Sequence, residues 1–376
     1  MTNFVQLLIH CYKMKLGFLF FMLLPVAAHV YVLWHVYQVL PLPVWAKWLV
    51  IILMAAALVM MLVGIFGAFD RMPLSLASAA YDVSTSWLIV FLYLLLVFVV
   101  LDLGRLVHLV PRDWLHGNAF TAGAITTLVT GLLIYGNIHY HNKVRQPLQL
   151  TTSKHISKPV KVVMLSDLHL GYHNRKAEWQ RWVKMINAEN PDLILVAGDI
   201  IDGYVRPLDE EDMAADFRSL KAPVVACLGN HEYITGIDKS LNFYNRAGIK
   251  LLRDTTLTIG DLVVAGRDDR SRRNRKTVEQ LLAGVDRGKF IILLDHQPYE
   301  LEQSQQGGVD FQLSGHTHEG QVWPISLIVH SMYENAWGFY HKGDTRYYVS
   351  SGLGIWGGKY RIGTRSEYIV ATITGQ

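Results

Sequence analysis

Residues 17–40, 44–69, 86–110 and 119–138 are apolar runs long enough to cross a bilayer, which takes about 20 residues as a helix. In hydrocarbon an unpaired peptide group costs several kcal/mol, so runs of this kind fold as helices that satisfy their own backbone. Pro41 and Pro43 mark the first turn between runs, Arg71 and Pro73 the second, and the stretch from Pro111 to Gly117 the third. The first run is too long, and too far from an Ala-x-Ala-like site, for a removable signal peptide. The expectation is therefore an all-α region of four transmembrane helices over residues 1–140, with both ends on one side of the membrane.

Charge divides the chain in the same place. Residues 1–150 hold eight Lys/Arg and four Asp/Glu, and the remainder holds 27 of each. The overall +4 thus belongs to the apolar part, and the neutral remainder argues against a nucleic-acid-binding domain. Lys13, Lys15, Arg71, Lys143, Arg145 and Lys154 flank one side of the spans, against Lys47 and Arg112 on the other. By the positive-inside rule this places the C-terminal domain in the cytoplasm, at the inner or plasma membrane if the source is bacterial. Asp102 and Arg105, three apart, share a helix face and read as an interfacial pair. Residues 141–159 read as a polar linker. Cys11 and Cys227 form no CxxC, and Cys227 lies in an apolar strand, as a small core residue does.

From residue 160 short strands alternate with amphipathic segments. Trp179, Trp182, Val183 and Ile186 share one helical face within 175–189, as do Met213, Phe217 and Leu220 within 208–220. Strand–helix–strand repetition implies an α/β domain over 160–376, with ligands bound beyond the strand ends.

Five blocks stand at those strand ends. Asp167-Leu168-His169 follows KVVMLS, Gly198-Asp199-Ile200-Ile201-Asp202 follows DLILVA, and Gly229-Asn230-His231-Glu232 follows PVVACL. His296 comes shortly after FIILL, and Gly315-His316-Thr317-His318 follows FQLS. In an extended chain Asp167 and His169, two apart, would point the same way. Asp199 could bridge two cations through its two oxygens, Asn230 offers a neutral carbonyl, and neutral histidine is a common metal ligand. Carboxylate, imidazole and amide donors together suit divalent metals that activate water. Manganese is placed first, with iron, zinc or cobalt as alternatives.

The order of these blocks resembles the calcineurin-like metallophosphoesterase superfamily, whose pattern is D-x-H, G-D-x-x-D, G-N-H-[ED], H and G-H-x-H. The resemblance spans residues 160–373. It implies a four-layer αββα sandwich and two divalent metal ions per chain. Asp167, His169, Asp199 and His318 would hold one ion, and Asp199, Asn230, His296 and His316 the other. His231 would protonate the leaving oxygen or stabilise charge on the phosphate, Glu232 would orient it, and Asp202 would support the ligands from behind.

With its multi-span N-terminus the chain resembles the membrane-associated branch, similar to UDP-2,3-diacylglucosamine pyrophosphatases and cell-envelope phosphodiesterases. Glu319 departs from the pattern, standing where glycine is common. The expected function is hydrolysis of a phosphodiester or pyrophosphate bond in a lipid-linked or nucleotide-linked substrate. The alternatives are an anchored phosphodiesterase with a soluble substrate, and a non-catalytic membrane sensor of phosphorylated ligand.

Around the blocks, Arg270, Arg272 and Arg273 in the basic loop 267–276 are candidate substrate anchors, as are Trp323 and Arg361. The apolar run 322–329, with Trp337, Phe339, Tyr340, Ile355 and Trp356 beyond it, suits either a lipid contact or a small satellite core.

Overall fold

The chain's computed structural model describes residues 23–375. Contacts between Cα positions divide it into two units.

Among the described residues, the first unit takes in 23–68 and 83–134. Its described helices are α1 (Leu23–Val39), α2 (Val44–Ile65) and most of α3 (Leu74–Leu106) and α4 (Ala119–His141), of which residues 74–82 and 135–141 belong to the second unit. Of these, α2, α3 and α4 are each long and apolar enough to span a membrane. The start of the first expected span, with Cys11, Lys13 and Lys15, lies outside the described residues. Helix α3 begins twelve residues before the expected third span, because Leu74–Thr85 is rich in alanine and serine, which a helix accepts but hydropathy overlooks. Asp102 pairs with Arg105 at 3.2 Å, and also takes the Tyr31 hydroxyl at 2.7 Å and His35 Nε2 at 3.0 Å.

The second unit comprises residues 69–82 and 135–376. Its strands are β1 (Lys143–Thr152), β2 (Val160–Leu165), β3 (Leu193–Ala197), β4 (Val224–Cys227), β5 (Lys250–Leu251), β6 (Thr255–Ile259), β7 (Leu262–Gly266), β8 (Phe290–Leu294), β9 (Phe311–Ser314), β10 (Gly338–Lys342), β11 (Thr345–Val349) and β12 (Ser366–Gly375). One sheet runs β1-β12-β2-β3-β4-β5 and the other β10-β11-β9-β8-β7-β6. Strands β2 to β5 are parallel neighbours, as are β7, β8, β9 and β11, so their C-terminal ends gather along one edge of each sheet.

Alternation along each strand builds three cores. Val163, Leu165, Ile194 and Val196 meet Trp179, Trp182, Ile186, Phe217 and Phe243 of the helices on the outer face of the first sheet. Val162, Met164, Leu195 and Cys227 face Val264, Ile292 and Leu313 between the sheets. Val263, Ile291 and Leu293 pack under the Val278–Leu281 helix on the far side. This helix–sheet–sheet–helix order is the layered α/β arrangement expected from the sequence, and Cys227 is a free, buried core residue.

The expected linker is mostly strand. Residues 143–152 pair in parallel with β12 along their whole length, with Lys143 opposite Ser366 and Thr152 opposite Gly375. As an edge strand, β1 needs one apolar face, supplied by Leu148 and Leu150, while Arg145, Pro147 and Gln149 are exposed. Polar alternation of this kind imitates a tether in sequence.

Candidate metal centre

Each block follows a strand that is buried where it ends, and all of these strands except β2 are buried throughout. Asp167 and His169 follow β2, Asp199 follows β3, Asn230 follows β4, His296 follows β8, and His316 and His318 follow β9. The backbone there is not extended. Asp167, His169, Asp199, His316 and His318 all have positive φ, between 44° and 71°. For non-glycine residues this conformation is strained, and strain of this kind clusters at functional sites. Left-handed turns, not an extended chain, bring the Asp167 and His169 side chains together. Gly229 and Gly315 have no room for a side chain, since a Cβ would run into the carboxylate of Asp199 or Asp167.

Possible donor atoms converge in overlapping groups: Asp167, His169 and His318; Asp199, His296 and His316; and His169, Asp199 and His231. Asp199 joins the sets, with Oδ2 3.1 Å from His296 Nε2 and 3.7 Å from His169 Nε2. Asn230 Oδ1 lies 2.8 Å from His316 Nδ1 and 3.2 Å from His296 Nε2. The Nε2 atoms of His169 and His318 face each other at 3.1 Å.

This donor set fits divalent cations. Burial would raise the Asp199 carboxyl, but His296 and His231 beside it hold it well below the usual carboxylate range. Burial disfavours charge on His296, yet Asp199 and Asp167 overcome that and raise its pKa well above 6.5. The pocket thus calls for positive charge between its carboxylates. Burial, with His296 nearby, lowers His316 to about 4. Burial and His169 push His318 well down. Both imidazoles are neutral at neutral pH, with lone pairs available to a cation.

The supporting residues divide the work. Asp202 Oδ1 meets His169 Nδ1 at 3.0 Å, and the Asp202 carbonyl accepts from His231 Nδ1 at 2.9 Å. Glu232 does not act on the His231 ring. Fully buried, it accepts four backbone N–H groups: Ile200 and Ile201 on Oε1 (2.8 and 3.0 Å), Gly229 and Asp199 on Oε2 (2.7 and 3.1 Å). It therefore clamps the Asp199 turn to the Asn230 turn, and His231 takes its orientation from the Asp202 carbonyl.

Arg361, expected at the substrate, is fully buried and donates to the carbonyls of His318 (2.6 Å), Gly354 (3.2 Å) and Ser351. It braces the turn that carries His318, and burial lowers its pKa to about 10. In the basic loop, Arg267 and Arg275 hold Asp295 at 3.1 and 3.0 Å, and Arg272 holds Asp268 at 3.0 Å. Much of the loop's charge is matched internally. Arg270 lies over the Tyr299 ring (4.4 Å), and Arg273 is exposed. The Tyr299 hydroxyl donates to that of Tyr333 (2.9 Å), whose ring lies 6.5 Å from His316. Neither tyrosine carried a signal in the sequence.

The apolar run 322–329 divides in two. Val322 and Ser326 are buried, while Trp323, Leu327, Ile328 and, in the next turn, Met332 are more than half exposed on and beside the helix Ile325–Met332.

Residues 160–320 match the family described as Calcineurin-like phosphoesterase. An uncharacterized metallophosphoesterase of Campylobacter jejuni is 32% identical over 254 residues, covering 65% of this chain and 67% of the relative. One from Aquifex aeolicus is 33% identical over 227 residues, covering 58% of this chain and 86% of the relative. A Danio rerio protein named "Transmembrane protein with metallophosphoesterase domain" is 28% identical over 350 residues, covering 85% of this chain and 79% of the relative. The chain belongs to the calcineurin-like metallophosphoesterases. Three of its described helices, α2, α3 and α4, have the length and composition of membrane spans.

Proposed function

We propose that this chain is a membrane-anchored phosphoesterase with two divalent cations, hydrolysing a phosphodiester or pyrophosphate bond in a lipid-linked or nucleotide-linked substrate. The supporting observation is the pair of donor groups joined through Asp199. Asp167, His169, Asp199 and His318 hold one cation, and Asp199, Asn230, His296 and His316 the other, with manganese the first candidate. Bound there, the cations supply Lewis-acid charge stabilisation at phosphorus and a more acidic attacking water.

The chain's own groups do the rest. Donation from His231 Nδ1 to the Asp202 carbonyl leaves Nε2 to carry a proton to the departing oxygen. Asp202 presents the lone pair of His169, and Glu232 keeps the two central turns in register. The exposed face of Trp323, Leu327, Ile328 and Met332, set soon after His318 in the chain, supports a lipid-linked substrate.

The test uses the full chain in mixed micelles. Wild type should carry about two transition-metal ions, and Asp199→Ala should lose both. Leu327→Ser with Ile328→Ser should raise the apparent KM for a lipid-linked diester by at least about tenfold, because even one exposed apolar side chain buried in lipid contributes roughly 1.5–3 kcal/mol. Turnover of a small water-soluble diester should stay unchanged. Two metals retained in Asp199→Ala would sink the metal assignment. Equal losses on both substrates would favour a soluble substrate.

A further inference from the structure

Residues 69–82 group with the catalytic unit rather than with the rest of helix α3. Tyr81, in this segment, is buried, and its hydroxyl donates to Asp202 Oδ2 at 2.5 Å. The other oxygen of the same carboxylate meets His169 Nδ1 at 3.0 Å. Asp202 is only 4% exposed, so each of its oxygens needs a donor from the protein. His173 Nδ1 stands 3.6 Å from Oδ2, beyond hydrogen-bond reach, which leaves the Tyr81 hydroxyl as the close donor.

Tyr81 is held firmly in place. Its ring stacks on His173, with centroids 5.1 Å apart at 16°, and Phe69 lies edge-on to it at 6.0 Å. The Arg206 guanidinium binds the carbonyls of Phe69, Asp70 and Met72 at 2.9–3.1 Å, and the Tyr172 hydroxyl donates to Asp70 at 2.6 Å. A second tyrosine reaches the same ligand turn from the last residues of α4. The Tyr140 hydroxyl donates to Asn174 Oδ1 at 2.7 Å, and Asn174 Nδ2 donates to the carbonyls of Leu168 and His169, each at 3.1 Å.

We propose that Tyr81 is a positioning residue of the metal centre: through Asp202 it fixes the imidazole of His169, so that a residue of α3 completes the site. The proposal rests on His169 being a metal ligand. A ligating histidine that donates its other N–H to a carboxylate has its tautomer and ring angle set, and loss of that partner typically weakens metal binding roughly 10–100-fold. Tyr81 stands one bond further out. Its removal leaves Asp202 free to turn between His169 and His173, and the expected loss lies at the lower end of that range. A consequence is that residues 150–376 alone, without Tyr81, Tyr140 and the 69–82 segment, hold an incomplete site.

The experiment measures Mn²⁺ affinity of the full chain in detergent, from free Mn²⁺ by electron paramagnetic resonance after chelation and refilling. Tyr81→Phe keeps the ring and should weaken binding about tenfold. Tyr368→Phe removes a hydroxyl bonded to Glu189, outside this network, and should change nothing. In an Asp202→Asn background, Tyr81→Phe should cost less than a further twofold, because both act on one bond. A hydroxyl that only helps the fold would instead give losses that multiply. Difluorotyrosine at position 81 is nearly isosteric and keeps the fold even if phenylalanine does not. Its more acidic hydroxyl should draw charge from Asp202 and weaken binding severalfold. Unchanged affinity with both replacements, or full additivity with Asp202→Asn, overturns the proposal. Wild type that binds no Mn²⁺ would instead refute the metal reading beneath it.

Discussion

Glu232 offers the sharpest test of how this site is built. Its carboxylate accepts two backbone N–H groups on each oxygen, from the turn that carries Asp199 and the turn that carries Asn230. Glu232→Gln is nearly isosteric, so no cavity forms. One oxygen becomes an NH₂ group that faces two N–H donors and can accept from neither. Leaving a buried donor unsatisfied costs about 1–3 kcal/mol, so two cost about 2–6 kcal/mol. Domains of this kind are stable by only about 5–15 kcal/mol. At about 2–4 °C per kcal/mol, Tm should fall by roughly 5–20 °C. Metal affinity should fall with it, since the two clamped turns carry Asp199 and Asn230. Thermal unfolding of the full chain, with and without added Mn²⁺, reads both effects. If Glu232 instead oriented the His231 ring, as the block pattern implies, the variant would keep its Tm and its metals and lose only turnover. A Tm within about 2 °C of wild type with reduced turnover would refute the clamp.

Three further expectations follow from particular side chains. His231→Ala should retain both metals but lose roughly 10²–10⁴-fold in turnover on esters with poor leaving groups, and much less on nitrophenyl esters, which need little protonation; equal losses on both would point to charge stabilisation. The Lys143 ammonium is buried against the rings of Tyr140 (3.4 Å) and Trp182 (4.9 Å), and burial lowers its pKa well below 10.5. Between its folded pKa and 10.5 the unfolded chain binds the extra proton, so wild-type stability should rise with pH across that window. Lys143→Met should abolish the slope and add about 1–2 kcal/mol at pH 7, the part of a buried charge's cost that the cation–π contacts do not offset; denaturant unfolding from pH 6 to 10 reads it, and parallel curves for the two proteins would contradict it. For topology, a reporter active only outside the cytoplasm, fused after Gln376, should be silent, whereas strong activity would reverse the proposed orientation.

The candidate ligand residues stand out in the sequence because their types are chemically narrow and each follows an apolar run of strand length. What escaped the sequence was whatever depends on contact across the chain. β1 passed for a tether because an edge strand needs one apolar face, and Arg145, Pro147 and Gln149 hid the Leu148–Leu150 alternation. Glu232 and Asp202 stand in neighbouring blocks as similar acids, yet one gathers backbone N–H groups while the other holds an imidazole. Arg361 could not be told from a substrate anchor, since a guanidinium suits buried carbonyls as well as a phosphate. Tyr81 lies 121 residues from Asp202, amid alanine and serine, and no local pattern marks its hydroxyl. The asymmetry has a physical origin. A metal ligand is selected for what its own atoms can donate, so its type survives in the sequence as a signal. A supporting residue is selected for what it touches, and many residue types could make that touch. Its role can be read only once the fold has placed its partner beside it, which is why the helix segment that completes the site left no trace in the order of the blocks.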